Sequence, residues 1–397
     1  MRHGVLVPRP QERPPTKAKS GIMLTLAGCK IRLGRFRAAL DQHGIDLAVL
    51  SNYRSVYYLC GHLREVELPQ LLIVTADGNT ILITDSQPAQ CAAAEVSTYE
   101  DYSADWPKRF AAITVQAART LKAKLAKINA PVRRIAMERD RLSAALLDVL
   151  VARWPNAEQV DAVALIDKLR KSKDPDEIEL ISRSIRAVEA GYTVARQVIR
   201  PGASELDVFK EVHGEIVRHA GYNLQFHGDF ACGIRAIKEG GTPLPRQVQP
   251  GDLYMLDIFP SFHGYHGDLC RTFAASRPTE LQRDAWTVIR NALRLAEEKI
   301  RPGVLARDVW KQLREYIDSF EFVRGSFWHH AGHGVGLDPH EPPWIFPAGD
   351  DVFEIGDVIA LEPACYGEHL QGGVRLECDY VVRENALENL SRFPLEL

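Results

Sequence analysis

Asp257 and Asp268, then His329, His333 and His340, then Glu362 and Glu377, are the side chains here whose types together could do chemistry. Carboxylates are hard oxygen ligands and imidazole is a borderline nitrogen ligand. The set suits a pair of divalent ions such as Mn2+, Co2+ or Zn2+. Four carboxylates carry four negative charges, which two divalent ions balance. A two-metal centre also needs bridging carboxylates to hold its ions about 3.5–4 Å apart.

The two aspartates lie in Gly251–Ser276, which reads GDLYMLDIFPSFHGYHGDLCRTFAAS. Leu253–Phe259 is apolar and extended. Asp268–Phe273 alternates, with Leu269, Arg271 and Phe273 on one face and Asp268, Cys270 and Thr272 on the other. Pro260–Gly264 is turn material. The simplest geometry is a hairpin with both carboxylates on one face near its middle. Asp is depleted in strands, and two carboxylates on an apolar sheet repel and are costly to desolvate unless a cation neutralises them. The alternative is an edge hairpin with both aspartates in solvent. The downstream histidines and glutamates favour the buried site.

The rest of the chain must position these residues. Residues 1–22 are rich in Pro and basic residues without periodicity, and read as a disordered tail. Residues 23–163 read as an α/β domain. A helix is expected near Lys30–His43, ending at Gly44. Strands are expected at Ile45–Leu50, Val56–Cys60, Leu71–Thr75, Thr80–Thr84 and Arg134–Met137, with a turn at Asp77-Gly78-Asn79. Ala- and Lys-rich helix occupies Trp106–Asn129. This part holds neither a Gly-rich phosphate loop nor a nucleophile elbow, so its role reads as architectural or dimerising.

Leu165–Asp174 is a basic connector. A helix follows with Asp174 as cap, Pro175 in the first turn and Glu177 completing a capping box. Ile178, Ile181, Ile185, Val188, Tyr192 and Ala195 form its apolar face. An internal repeat then appears. Ile199-Arg200-Pro201-Gly202 followed by Asp207-Val208-Phe209-Lys210 returns as Ile300-Arg301-Pro302-Gly303 followed by Asp308-Val309-Trp310-Lys311. Residues 164–397 therefore read as two similar halves, each pairing helices with a sheet. A site at their junction would draw the aspartates from one half and His333, Glu362 and Glu377 from the other.

The chain has 397 residues and a net charge of −3. That length gives ample chain for real cores, and the charge argues against nucleic-acid or anionic-membrane partners. No apolar run approaches membrane-spanning length. The seven cysteines are scattered without a C-x-x-C, which reads as reduced thiols in a cytoplasmic protein. A lipoprotein-like pattern ending at Cys29 is set aside, because Cys29 runs straight into helical periodicity.

The ordered set of five ligands resembles the peptidase family that contains methionine aminopeptidase, prolidase, aminopeptidase P and creatinase, closest to the Xaa-Pro peptidase branch. The resemblance covers nearly everything after Met23. It implies an α/β (α+β) architecture with a creatinase-like N-terminal domain (23–163) and a C-terminal "pita-bread" metallopeptidase domain (164–397). Tyr57-Tyr58-Leu59-Cys60-Gly61 is similar to a Tyr-Leu-x-Gly segment of relatives. By resemblance, Asp257 chelates one metal, Asp268 and Glu377 bridge both, and His333 and Glu362 hold the second. The resemblance implies that this centre activates water for attack on a peptide carbonyl, with Glu362 shuttling the proton. It makes His340 the stabiliser of the tetrahedral intermediate and His329 the extra histidine of the proline-specific branch. Arg375 becomes a brace for the bridging carboxylates and nearby substrate. His330, His263 and His266 match no motif and are read as structural.

Two departures concern substrate. Relatives carry a substrate-binding His about where Arg235–Pro243 stands, and this segment has none. Prolidases carry an Arg ahead of the Glu362 motif, and Glu341–Leu361 contains neither Arg nor Lys. The leading expectation is a cytoplasmic, homodimeric enzyme that cleaves short peptides at Xaa-Pro bonds. It would use two divalent ions, Mn2+ first and Co2+ or Zn2+ as alternatives. The runner-up is a creatinase-like or other small-amide C–N hydrolase. A non-catalytic binding protein on the same fold is the third reading, and the intact ligand set argues against it. A metal-dependent lyase of the family needs an Asp where this chain has Phe259.

Overall fold

A computed structural model describes residues 23–64, 68–100, 110–238 and 240–397. The tail at 1–22 and the first residues of the helix expected from Trp106 lie outside the described residues. The N-terminal part is a six-stranded sheet flanked by helices. Its strand order is Glu95–Thr98, Thr80–Thr84, Leu71–Thr75, Leu47–Leu50, Arg134–Met137, Glu158–Asp161. Leu47–Leu50 runs antiparallel to Leu71–Thr75 and parallel to Arg134–Met137. Both faces are covered, so alternation disappears and the central strands read as continuous apolar runs. Leu47, Val49, Leu71 and Ile73 pack toward Leu121, Leu125, Leu146 and Leu150. Ala48, Leu50, Leu72 and Val74 pack on the other side with Phe36, Leu40 and Tyr57.

One expected strand is a helix. Val56–Cys60 belongs to the helix Tyr53–Cys60. Asn52 caps it through Oδ1 to the Arg54 N–H at 3.1 Å, and Gly61 closes it at φ +78°. Ser55 to Cys60 are all buried, so a short run apolar on every side carried no periodicity to separate helix from strand. The edge strands Glu95–Thr98 and Glu158–Asp161 and the helix Ala144–Arg153 were not expected. The edge strands are short and polar, which hides them.

The helix Val163–Lys171 leads into the helix Pro175–Val198, where the Glu177 side chain accepts from the Asp174 N–H at 2.9 Å. The repeat is structural. Pro175–Val198 pairs with Glu205–Ala220, and Glu280–Lys299 pairs with Ala306–Asp318. Gly202 and Gly303 sit at φ +90° and +89°. Each donates its N–H outward, Gly202 to Val248 O at 3.0 Å and Gly303 to Phe353 O at 2.8 Å. The first half carries the antiparallel sheet Leu269–Ala274, Leu253–Ile258, Gly228–Cys232. The second carries Glu341–Ile345, Gly332–Gly334, Val358–Leu361, Cys378–Val382, Leu387–Asn389. The sheets meet where Glu377 N–H donates to Cys270 O at 3.0 Å. Among the described residues no helix is long and apolar enough to cross a membrane.

Candidate metal centre

The hairpin forms, and its register fixes the site. Cys270 faces Asp257 across the ladder. Asp268 lies two positions from Cys270, so both carboxylates share one face. They stand where the paired strands run into their connection. The connecting residues make their own short ladder, Ser261–Phe262 with Tyr265–His266. The opposite face carries Arg271, which is fully buried and bonds the carbonyls of Cys270 and Glu377.

The second half supplies the remaining groups. His333 pairs with Ala360 in the strands Gly332–Gly334 and Val358–Leu361. Glu362 follows the second strand, its N–H bound to Ala331 O at 2.9 Å. Glu377 lies between the strands Gly372–Arg375 and Cys378–Val382. These positions converge. Ligand atoms of His333, Glu362 and Glu377 lie within 4.8 Å of one another, as do those of Asp268, His333 and His340, and those of Asp257, Cys270 and Glu377. Asp257, Asp268, His333, Glu362 and Glu377 are all buried.

The electrostatics are those of an acid cluster short of positive charge. Burial, opposed by the Arg375 guanidinium, pushes the Asp257 carboxyl up to about 7. Burial and the neighbouring carboxylates push Asp268 and Glu377 well above their ordinary values. Glu362 goes the other way. Burial raises it, but His330 and His333 outweigh burial and hold it well below the usual range. Asp257 Oδ1, Asp268 Oδ1 and Glu377 Oε2 are buried oxygens that accept no hydrogen bond among the described residues. Orphaned carboxylate oxygens are costly in a protein interior unless a cation takes the place of the missing donors. Four carboxylates and an imidazole, converging with their lone pairs unused, fit divalent cations of borderline hardness.

The flanking groups are ordered around this cluster. Arg375 ion-pairs Asp257 and also Asp229, the latter at 3.1 Å. His329 Nε2 meets the Tyr366 hydroxyl at 2.9 Å, and burial pushes its pKa down to about 4. The His340 ring lies 4.1 Å from that of His333 and stacks on Trp344 at 6.4 Å. Desolvation and the adjacent His333 lower the His340 pKa, so it is neutral at physiological pH. His263 and His266 stay apart from the ligands. His263 stacks on Tyr222, and buried His266 approaches Phe259 O at 3.2 Å.

Three residues enter that the sequence reading passed over. His330 was read as structural, but its Nδ1 is 3.0 Å from Glu362 Oε1. Asp379 is fully buried, and its Oδ2 accepts the Asp268 N–H at 2.8 Å. It stands two residues after Glu377 in a strand, and that period-two spacing was a usable signal. Asp229 sits opposite Asp257 in the next strand, a register that nothing local announces.

Residues 179–384 match the family model described as metallopeptidase family M24, and residues 32–172 match the creatinase/prolidase N-terminal domain. An uncharacterized peptidase, YqhT, of Bacillus subtilis is 24% identical over 367 residues, covering 92% of this chain and 99% of that protein. A Xaa-Pro dipeptidase of Pyrococcus furiosus is 30% identical over 233 residues, covering 59% of this chain and 66% of its own length. Among solved structures, a Xaa-Pro dipeptidase from Bacillus anthracis superposes with a TM-score of 0.81 at 23% identity, covering 93% of this chain and 99% of that one. A prolidase from Pyrococcus horikoshii superposes at 0.79 with 21% identity, covering 92% and 99%. At these identities the superpositions establish the fold.

Proposed function

The chain belongs to metallopeptidase family M24, and from that premise we propose that it hydrolyses short peptides at Xaa-Pro bonds with a dinuclear metal centre. One observation carries the reading: four buried carboxylates and His333 converge, and Asp257, Asp268 and Glu377 each keep a buried oxygen without a hydrogen bond. In this reading Asp257, Asp268, His333, Glu362 and Glu377 hold two divalent ions, Mn2+ first, with Co2+ or Zn2+ as alternatives. Two such cations supply Lewis acidity, polarising the scissile carbonyl and acidifying water. Glu362 takes the proton of the attacking water and delivers it to the leaving nitrogen. Neutral His340 donates to the oxygen that gains charge. His329, backed by Tyr366, contacts the substrate beside it. Arg375 holds Asp257 in place and limits repulsion with Asp229. The domain division at 163/164, a homodimer and a cytoplasmic location belong to the same proposal. The last is supported by seven free thiols.

A small-amide C–N hydrolase is the second reading. It is favoured by the absence of His from Arg235–Pro243 and of Arg or Lys from Glu341–Leu361. One screen separates the two. Metal-loaded protein is offered Xaa-Pro dipeptides, Xaa-Pro-Yaa tripeptides, creatine and N-acyl amino acids, each with an EDTA control. Chelator-sensitive release of an amino acid from Xaa-Pro is expected. Turnover confined to creatine or an N-acyl compound overturns the peptide reading in favour of the second.

A further inference from the structure

His340 reaches the centre from an irregular stretch. Residues 335–340 form neither helix nor strand between Gly332–Gly334 and Glu341–Ile345, and His340 itself is exposed. A loop-borne side chain keeps a fixed place over a reacting centre only when something outside the loop holds it. Here the hold comes largely from the N-terminal side of the chain. Arg54, in the helix Tyr53–Cys60, donates from Nε to Leu337 O at 2.9 Å and meets Asp338 Oδ1 at 3.0 Å. Arg170, in the connecting helix, reaches Asp338 Oδ2 at 2.7 Å and also pairs with Glu341. Lys173 meets Glu341 Oε1 at 2.7 Å. The fit beneath is close: a Cβ on Gly336 would lie 2.6 Å from Glu341 Oε1 and 3.1 Å from Lys173 Cε. On the far side, His266 N–H donates to Gly336 O at 2.7 Å.

We propose that Arg54 is a positioning residue for His340. Through this guanidinium the N-terminal domain holds Leu337 and Asp338, and with them the loop that carries the imidazole beside His333 and Asp268. Both contacts converge on Nε, so one donor of the charged guanidinium serves a carbonyl and a carboxylate together. The N-terminal domain then has a part in turnover as well as architecture. The effect on turnover rests on the hydrolytic reading of the site, whereas the effect on His340 does not.

Two readouts on the full-length protein keep these apart, the ring signal being read with diamagnetic Zn2+ bound and turnover with Mn2+. The first is the His340 ring signal in histidine-labelled protein, assigned with His340→Gln. The second is kcat and KM on Xaa-Pro substrates, with metal content measured alongside. Arg54→Ala is expected to shift or broaden the His340 signal. It should also lower kcat about tenfold, since small misplacement of a reacting group is costly, with KM and metal content within about twofold of wild type. Arg54→Lys should recover part of the loss. Lys124→Ala, which breaks a surface pair with Glu95 in the same domain, should change neither readout. If Arg54→Ala is insoluble, Asp338→Asn removes the carboxylate that Arg54 and Arg170 share and gives the same two readouts. An unmoved His340 signal with unchanged kcat overturns the proposal. A moved signal in a protein that cleaves no Xaa-Pro substrate upholds it and removes the hydrolytic reading alone.

Discussion

Asp268 has burial, Asp257, Asp379 and Glu362 all acting against its charge, and Arg375 acting for it. Its backbone is pinned to Asp379, so its carboxylate has little freedom to turn toward solvent. An amide at this position removes one of the clustered charges but also one ligand. Asp268→Asn should therefore lose bound metal and activity together. The metal-free protein should respond in the opposite sense and gain stability, because an amide cannot take the charge that burial and the neighbouring carboxylates oppose. Elemental analysis and melting in EDTA check both halves. Full metal content in the variant would refute the ligand assignment.

Among the elements, the segment from Gly336 to Glu341 is held by partners far away in sequence. Glu341 is buried. Desolvation opposes its charge, but Arg170 and Lys173 outweigh it and hold the carboxyl at about 2. The folded-state value is depressed, so the stabilising contribution is present above the ordinary value of 4.5 and fades as pH falls from there toward 2. A shift of that size corresponds to about 3 kcal/mol. Glu341→Gln should destabilise the protein at pH 7 by a few kcal/mol, because it leaves two buried cations underpaired. The gap from wild type should narrow as pH falls below 4.5. Chemical denaturation of both proteins at pH 7 and pH 3.5 measures it. An equal gap at both values would mean that Glu341 acts by packing and not by charge.

For the whole molecule, the centre lies where the two halves meet, and cations bound only by the native state stabilise it by mass action. At a free metal concentration about a hundred times Kd the gain is about 2.7 kcal/mol per site. Chelation should therefore lower Tm by several degrees, and re-addition of Mn2+ should restore it. A Tm indifferent to EDTA would count against convergence of the carboxylates in solution. Much of this arrangement was legible in the sequence. Candidate ligands are read from residue type and order, and Asp257, Asp268, His333, Glu362 and Glu377, picked out in that way, lie together in the fold. The helix Pro175–Val198 announced itself by cap and periodicity, and the two halves by a repeated Pro-Gly motif with one backbone role. Local chemistry determined those features, so local reading found them. Val56–Cys60 was misread because a segment buried on every side has no period. Asp229, Asp379, His330 and Arg54 take their roles from strand register and from contacts between residues up to 283 positions apart. Side-chain identity is written locally, but proximity across such separations comes from packing two domains and two half-sheets together. Only the tertiary structure decided which charges face one another.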